Sequence, residues 1–350
     1  MKKIGILTLN GNNNYGNKLQ NYALLSYLKN IGFDVETIWF KDNFKNYIKN
    51  TIKKYMPINN KYKRINKFDK FTIKYLNRVF YKNNKIENLY DYFIVGSDQV
   101  WNYNLDTFND NYLLTFSKDK NKNISYSASF GLSNLDKNIE EKFINGLNNF
   151  KNISVREEKG KSIVEALINR EDVQVLIDPT MLLSSEDWDK ISKKPKQLKN
   201  INKKYILIYF LGRLSSDKRN IIEKFAKEND FDIIDVYDKN NSFYNIGPEE
   251  FLYLEKNASL ICTDSFHSAV FAILYNRPFI SFNRDEIGTE GMSSRLDTLL
   301  DKFNLSERKY SGDIDLNSLK INYVKTNEIL SLERKKANLF LCEALNFKQS

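Results

Sequence analysis

Short apolar runs that break off into small and polar residues, with helical spacing between them, recur from one end of this chain to the other. They restrict it to an open α/β architecture. The runs fall at residues 4–9, 35–39, 90–95, 124–128, 153–157, 173–177, 205–211, 231–236, 259–262 and 279–282. Continuous rather than alternating apolarity marks strands of a parallel sheet covered on both faces. Ligands of such sheets sit outside the carboxyl ends of the strands, so the residues just after each run are the site candidates.

The run at 259–262 is the most informative. It passes through Thr263, Asp264, Ser265 and Phe266 into a helical pattern that Arg277 and Pro278 end. In that turn stands His267, the only histidine of 350 residues. A helix N-terminus offers free N–H groups to a phosphate or carboxylate, with Ser265 among the binding candidates. His267 beside it could bind the anion or pass it a proton. The plainer alternative is that Asp264 or Ser265 caps the helix and His267 packs in the core.

The same logic places Tyr15 and Asn17 at the ligand edge after the first strand, and Gly96, Ser97 and Asp98 after the run at 90–95. Gly96 permits close backbone approach, with Ser97 and Asp98 projecting into the cleft. Arg156 ends another run and is either a substrate arginine or neutralised by Glu157 and Glu158. Asp178, before Pro179, reads as structural. Arg213 follows Gly212. Arg295 is either a binding residue or a surface helix residue paired with Asp297 or Asp301. The opening βαβ pattern lacks the Gly-x-Gly-x-x-Gly fingerprint, which removes support for dinucleotide binding.

Length and pattern predict two domains. The expected fold class is α/β, two facing Rossmann-like domains with an interdomain cleft. The first, expected to bind the acceptor, covers residues 1–190 and the second, expected to bind the donor, 203–325, joined by a Lys-rich linker at 190–203, with a closing helix at 326–350. The two cysteines, Cys262 and Cys342, form no disulfide framework and fit a reducing compartment. The apolar run at 4–9 is too short for a signal peptide and no stretch reaches a membrane span, so a cytoplasmic location is expected. No two-histidine or carboxylate-cluster spacing calls for a metal.

Net charge is +10, and residues 41–85 hold 14 Lys or Arg against Asp42 and Asp69, a local balance of +12. Phe68, Phe71, Tyr75, Leu76 and Val79 share a helical face there, giving a helical insertion with a solvated basic face. The sharper reading is a patch for a lipid diphosphate carrier or for anionic membrane, peripheral at its inner face. Nucleic acid is not expected, since no recognition motif accompanies the charge.

In order along the chain stand Tyr15-Gly16-Asn17, Gly96-Ser97-Asp98-Gln99-Val100-Trp101-Asn102, Ser127-Ala128-Ser129-Phe130-Gly131, Ser154-Val155-Arg156-Glu157, Asp178-Pro179-Thr180, Asp264-Ser265-Phe266-His267 and Ser294-Arg295-Leu296. Together they resemble the polysaccharide pyruvyl transferase family. That family often carries glycine where Ser268 stands, and the basic segment lies outside the shared motifs. The resemblance implies a GT-B-like fold and transfer of an enolpyruvyl-derived group from phosphoenolpyruvate, a donor substrate and not a cofactor, to a sugar as a pyruvate ketal. It implies His267 as acid near the phosphate and Asp98 as base or electrostatic partner towards the acceptor, with Arg156, Arg295 and Arg213 suited to the donor's anionic groups. Two rival classes remain: a glycosyltransferase using a nucleotide sugar, and a non-catalytic glycan-binding protein.

Overall fold

The computed structural model describes residues 1–9, 11, 14–40, 60–284 and 290–347, without the side chains of 60, 61 and 290–293. Two compact units emerge: residues 1–57, 72–182 and 332–350 form the first, and 58–71 with 183–331 the second.

Seven strands build the first unit: β1 (Lys3–Leu7), β2 (Asp34–Phe40), β3 (Arg78–Tyr81), β4 (Tyr92–Val95), β5 (Asn123–Ala128), β6 (Asn152–Val155) and β7 (Gln174–Val175). All pair in parallel, in the order β3-β2-β1-β4-β5-β6-β7. This is the doubly wound Rossmann order with one strand added. Its direction of winding reverses between β1 and β4, the switch point where such sheets bind ligands. β4 and β5 are buried at every position, β4 because it is an apolar run and β5 because Asn123, Ser125 and Ser127 hydrogen-bond to backbone carbonyls. Helix α1 (Tyr15–Asn30) begins where Asn14 accepts a hydrogen bond from the Gly16 N–H.

In the second unit, β8 (Tyr205–Tyr209), β9 (Asp232–Asp235), β10 (Leu260–Thr263) and β11 (Phe279–Ser281) form a parallel sheet in the order β11-β10-β8-β9. Here the winding reverses between β8 and β10. The apolar faces of Ile206, Ile208, Leu260 and Cys262 share one core with Ile222 and Phe225 of a covering helix.

Three sequence expectations are corrected. The basic segment is not one helical insertion of the first domain. Residues 41–59 lie outside the described residues, and the remainder is helix α2 (Asn60–Tyr75) followed by strand β3. Asn77, in the left-handed region, ends the helix, so Val79 pairs with Ile38 in the sheet instead of extending the helical face. Residues 58–71 belong to the second unit because Arg64, 1% exposed, donates to the carbonyls of Val236 (3.2 Å) and Tyr244 (2.9 Å), and Lys67 pairs with Glu250. Arg64 is therefore packed inside the protein, while Lys67 pairs with Glu250 half-exposed and Lys63, Lys70 and Lys74 keep a solvated basic face.

The chain also enters the second unit before the expected linker. Trp188, buried on the short helix α5 (Ser185–Asp189), meets Phe271 edge to face at 5.0 Å, and the Lys193 N–H bonds the Glu249 carbonyl. The closing helix starts at Val324, and from Leu332 on it belongs to the first unit, where Tyr27 donates to Asn338. No described helix is long and apolar enough to cross a membrane.

Candidate functional site

At the first switch point, β4 runs into Gly96, Ser97 and Asp98. Gly96 has φ +113°, and a Cβ there would lie 2.3 Å from the Tyr126 carbonyl oxygen. The close approach that glycine allows is thus to a neighbouring strand. Ser97 is fully buried: its hydroxyl lies 2.7 Å from Ser127 O and 2.9 Å from Asp178 Oδ2, and its N–H donates to Gln20. Ser97 does not project into a cleft; it ties three strand ends together. Tyr15 is also fully buried.

Asp98 is the centre of this cluster. It sits in the left-handed region (φ +74°) and is 3% exposed. Its Oδ1 accepts the Gln99 N–H at 2.9 Å and lies 3.5 Å from Arg156, while its Oδ2 accepts from the Asn17 amide at the start of α1. Arg156 donates to Asp178 Oδ2 at 3.0 Å, and the other oxygen of Asp178 takes the Thr180 N–H and hydroxyl. Burial alone would depress the guanidinium's pKa; the charges of Asp98, Asp178 and Glu157 more than offset it, so the shift is upward. Arg156 is therefore a charged strut between two aspartates. Glu157 has its own task, accepting from Ser129 and from the Phe130 and Gly131 N–H groups. Asp178, read from sequence as structural, is the aspartate that holds Arg156 in place beneath Asp98.

At the second switch point, β10 leads into the His267 turn. Thr263 donates to the Tyr209 carbonyl and accepts the Ser265 N–H. Asp264 accepts from the N–H groups of Leu211 (2.6 Å) and Gly212 (2.7 Å) after β8, and from Arg284 Nε (3.0 Å) after β11. One carboxylate thus fastens three strand ends. Neither acid nor serine caps the helix as the plainer reading had it: Asp264 bonds elsewhere, and Ser265 occupies the cap without a side-chain bond. His267 is the second residue of α8 (Phe266–Leu274), 5% exposed, its ring perpendicular to Phe266. Helix dipole and N–H groups make this turn suited to an anion.

Behind it, Ser268 donates to Glu255 at 2.6 Å from α7 (Pro248–Asn257). Glu255 is fully buried, and burial pushes its carboxyl well above the usual range despite the Ser268 bond. A carboxyl whose folded pKa is raised contributes stability that is complete below its unfolded value, about 4.3, and is lost as pH rises through the folded value. Glu255→Gln should therefore match wild type near pH 4.5 and gain on it as pH rises. Melting curves that stay parallel from acid to neutral pH would contradict this.

Arg295 lies on α9 (Glu290–Lys302) and is 6% exposed, so it is not the surface residue of the alternative reading. Asp297 pairs with Lys309, and Asp301 accepts from Ser306. Arg213 is exposed, directly after the amides that bond Asp264. Arg284, which none of the sequence expectations singled out, bonds into the His267 turn through Asp264. Its signal was the one used elsewhere, a polar residue just beyond an apolar run, here after Phe282 and Asn283.

Two parallel sheets, each with polar and charged residues gathered at its switch point, define a Rossmann-like α/β protein. A family model described as polysaccharide pyruvyl transferase matches residues 14–286, and the chain belongs to that family. Among solved structures it is similar to UDP-GlcNAc 2-epimerase from Neisseria meningitidis bound to UDP-GlcNAc, at 12% identity, covering 96% of this chain and 100% of that one, with TM-score 0.48. It is similar to UDP-GlcNAc 2-epimerase from Methanocaldococcus jannaschii at 16% identity, 95% and 99% coverage, TM-score 0.46. Acinetobacter baumannii MurG shows 11% identity, 100% and 96% coverage, TM-score 0.44. A search of curated proteins finds no match.

Proposed function

We propose that the protein transfers the enolpyruvyl-derived group of phosphoenolpyruvate to a pair of hydroxyls on a sugar of a cell-surface glycan or its lipid-linked precursor. The product is a pyruvate ketal, and phosphate is released. The observation that carries the reading is His267 on the first turn of α8 at a switch point, beside the Asp264–Arg284 pair. Phosphoenolpyruvate puts a phosphate and a carboxylate on a small frame, which calls for helix N–H groups and guanidinium.

In the reaction the enol methylene gains a proton and C2 takes up one sugar hydroxyl. The C2–O bond to phosphate breaks, and a second hydroxyl closes the ketal. Of the two protons lost by the hydroxyls, one balances the new methyl C–H and one leaves on phosphate. His267 acts as the acid at the phosphate. Asp98, kept in place by Asn17 and Arg156, is offered as the base towards an acceptor hydroxyl.

Phosphoenolpyruvate at about 100 times its dissociation constant should stabilise the fold by about 2.7 kcal/mol, a resolvable rise in melting temperature. The rise should be smaller in His267→Ala at the same concentration. Stabilisation by a nucleotide sugar with none by phosphoenolpyruvate would transfer the protein to the glycosyltransferase reading.

A further inference from the structure

Helix α2 brings Arg64 to the carboxyl end of β9, and there the guanidinium is caged. Its carbon lies 5.3 Å from the ring centre of Phe68, 5.4 Å from that of Tyr237 and 5.1 Å from that of Tyr244. Its nitrogens bond the carbonyls of Val236 and Tyr244. A buried cation over aromatic faces, with its hydrogen bonds made to fixed backbone, holds those rings rigidly. Yet Tyr237 is 38% exposed, the one exposed aromatic among the described residues of the second unit.

Its position sets it apart from an ordinary surface tyrosine. Tyr237 stands two residues beyond β9, anchored by its N–H to Asp235, with its ring 6.0 Å from that of Tyr209. The Tyr209 carbonyl in turn accepts from Thr263 at the root of the His267 turn. From β9 across β8 to β10 is two strand spacings, roughly 10 Å. Burial raises the Tyr237 phenol, and after Arg64 and Tyr244 the charges that act on it are Asp264 and Arg284. Through Tyr209 and Thr263 the ring is thus linked to the strand that carries the His267 turn.

We propose that Tyr237, braced by Arg64, is the wall of a pyranose-binding subsite beside the His267 turn and takes a sugar ring of the acceptor. A rigid aromatic presents a flat apolar face and a polar tip at low entropic cost, which matches a ring with C–H groups on one face and hydroxyls at its edge. Arg64 is a positioning residue: it touches Tyr237, not the sugar. The excursion 58–71 then has a task in the second unit, to supply that brace. The assignment of the sugar as acceptor rests on the pyruvyl transfer reading; the existence of the subsite does not.

The test is saturation-transfer NMR with a panel of methyl glycosides of hexoses and N-acetylhexosamines, on wild type, Tyr237→Phe, Tyr237→Ala and Arg64→Met. At least one glycoside should bind wild type. Phe should keep that binding, Ala should weaken it at least about tenfold, and Met should fall between. Phosphoenolpyruvate should raise the melting temperature of Tyr237→Ala as it does that of wild type. Unchanged glycoside binding in Tyr237→Ala, or none by wild type, would overturn the subsite, as would a Tyr237-dependent affinity for uridine without one for any glycoside. Tyr237-dependent glycoside binding without any response to phosphoenolpyruvate would leave the subsite standing and remove the donor reading instead.

Discussion

Replacing His267 by alanine is expected to lower turnover by about 10²- to 10⁴-fold, the range for losing a positioned acid. The side chain is 5% exposed, so some stability goes with it. His267→Gln, which refills much of the space and can still hydrogen-bond, separates the two effects: it should fold as wild type and turn over as slowly as the alanine variant. The helix N–H groups stay in both variants, so a residual rate above background is expected from anion binding alone. Turnover within about threefold of wild type in either variant would remove His267 from the chemistry.

The largest expected loss of stability lies in the first unit. Arg156→Met keeps the length and apolar volume of the side chain but strips Asp98 and Asp178 of the cation between them. Removing one partner of a buried pair typically costs about 3–5 kcal/mol, because the remaining charge is left without compensation. Here two carboxylates would be left. Adding Asp178→Asn to Arg156→Met removes one of the stranded charges and should recover part of the loss. Urea denaturation measures both. A single variant within about 1 kcal/mol of wild type would mean that the two aspartates do not depend on the arginine.

Much of this architecture could be read from local pattern. Each apolar run formed a strand within a few residues of its predicted limits, because period and composition act over distances a short window contains. The His267 turn was legible for the same reason: strand, turn and helix are contiguous. What escaped was whatever depends on partners far apart in the chain. Ser97 reads as a polar residue at an open edge, but Gln20, Ser127 and Asp178 converge on it and close it in. Arg64 reads as one more basic residue in a basic run, until a carbonyl 180 positions away claims it. Glu255 sits in an amphipathic helix like any surface glutamate, and only the packing of α7 against α8 shows that it bonds Ser268. Arg284 was missed although its place after β11 met the rule applied to other strands. Its bond to Asp264 was not visible in the spacing.

The central claim is transfer of the pyruvyl group, and phosphoenolpyruvate labelled with carbon-13 at C2 tests it most directly. The protein is incubated with this donor and a cell-envelope glycan fraction, and the label is followed by NMR. The enol carbon signal should be replaced by that of a quaternary ketal carbon attached to glycan, in step with phosphate release, and His267→Ala should slow both by about 10²- to 10⁴-fold. Label that stays in phosphoenolpyruvate while the same fraction accepts sugar from a nucleotide donor would contradict it.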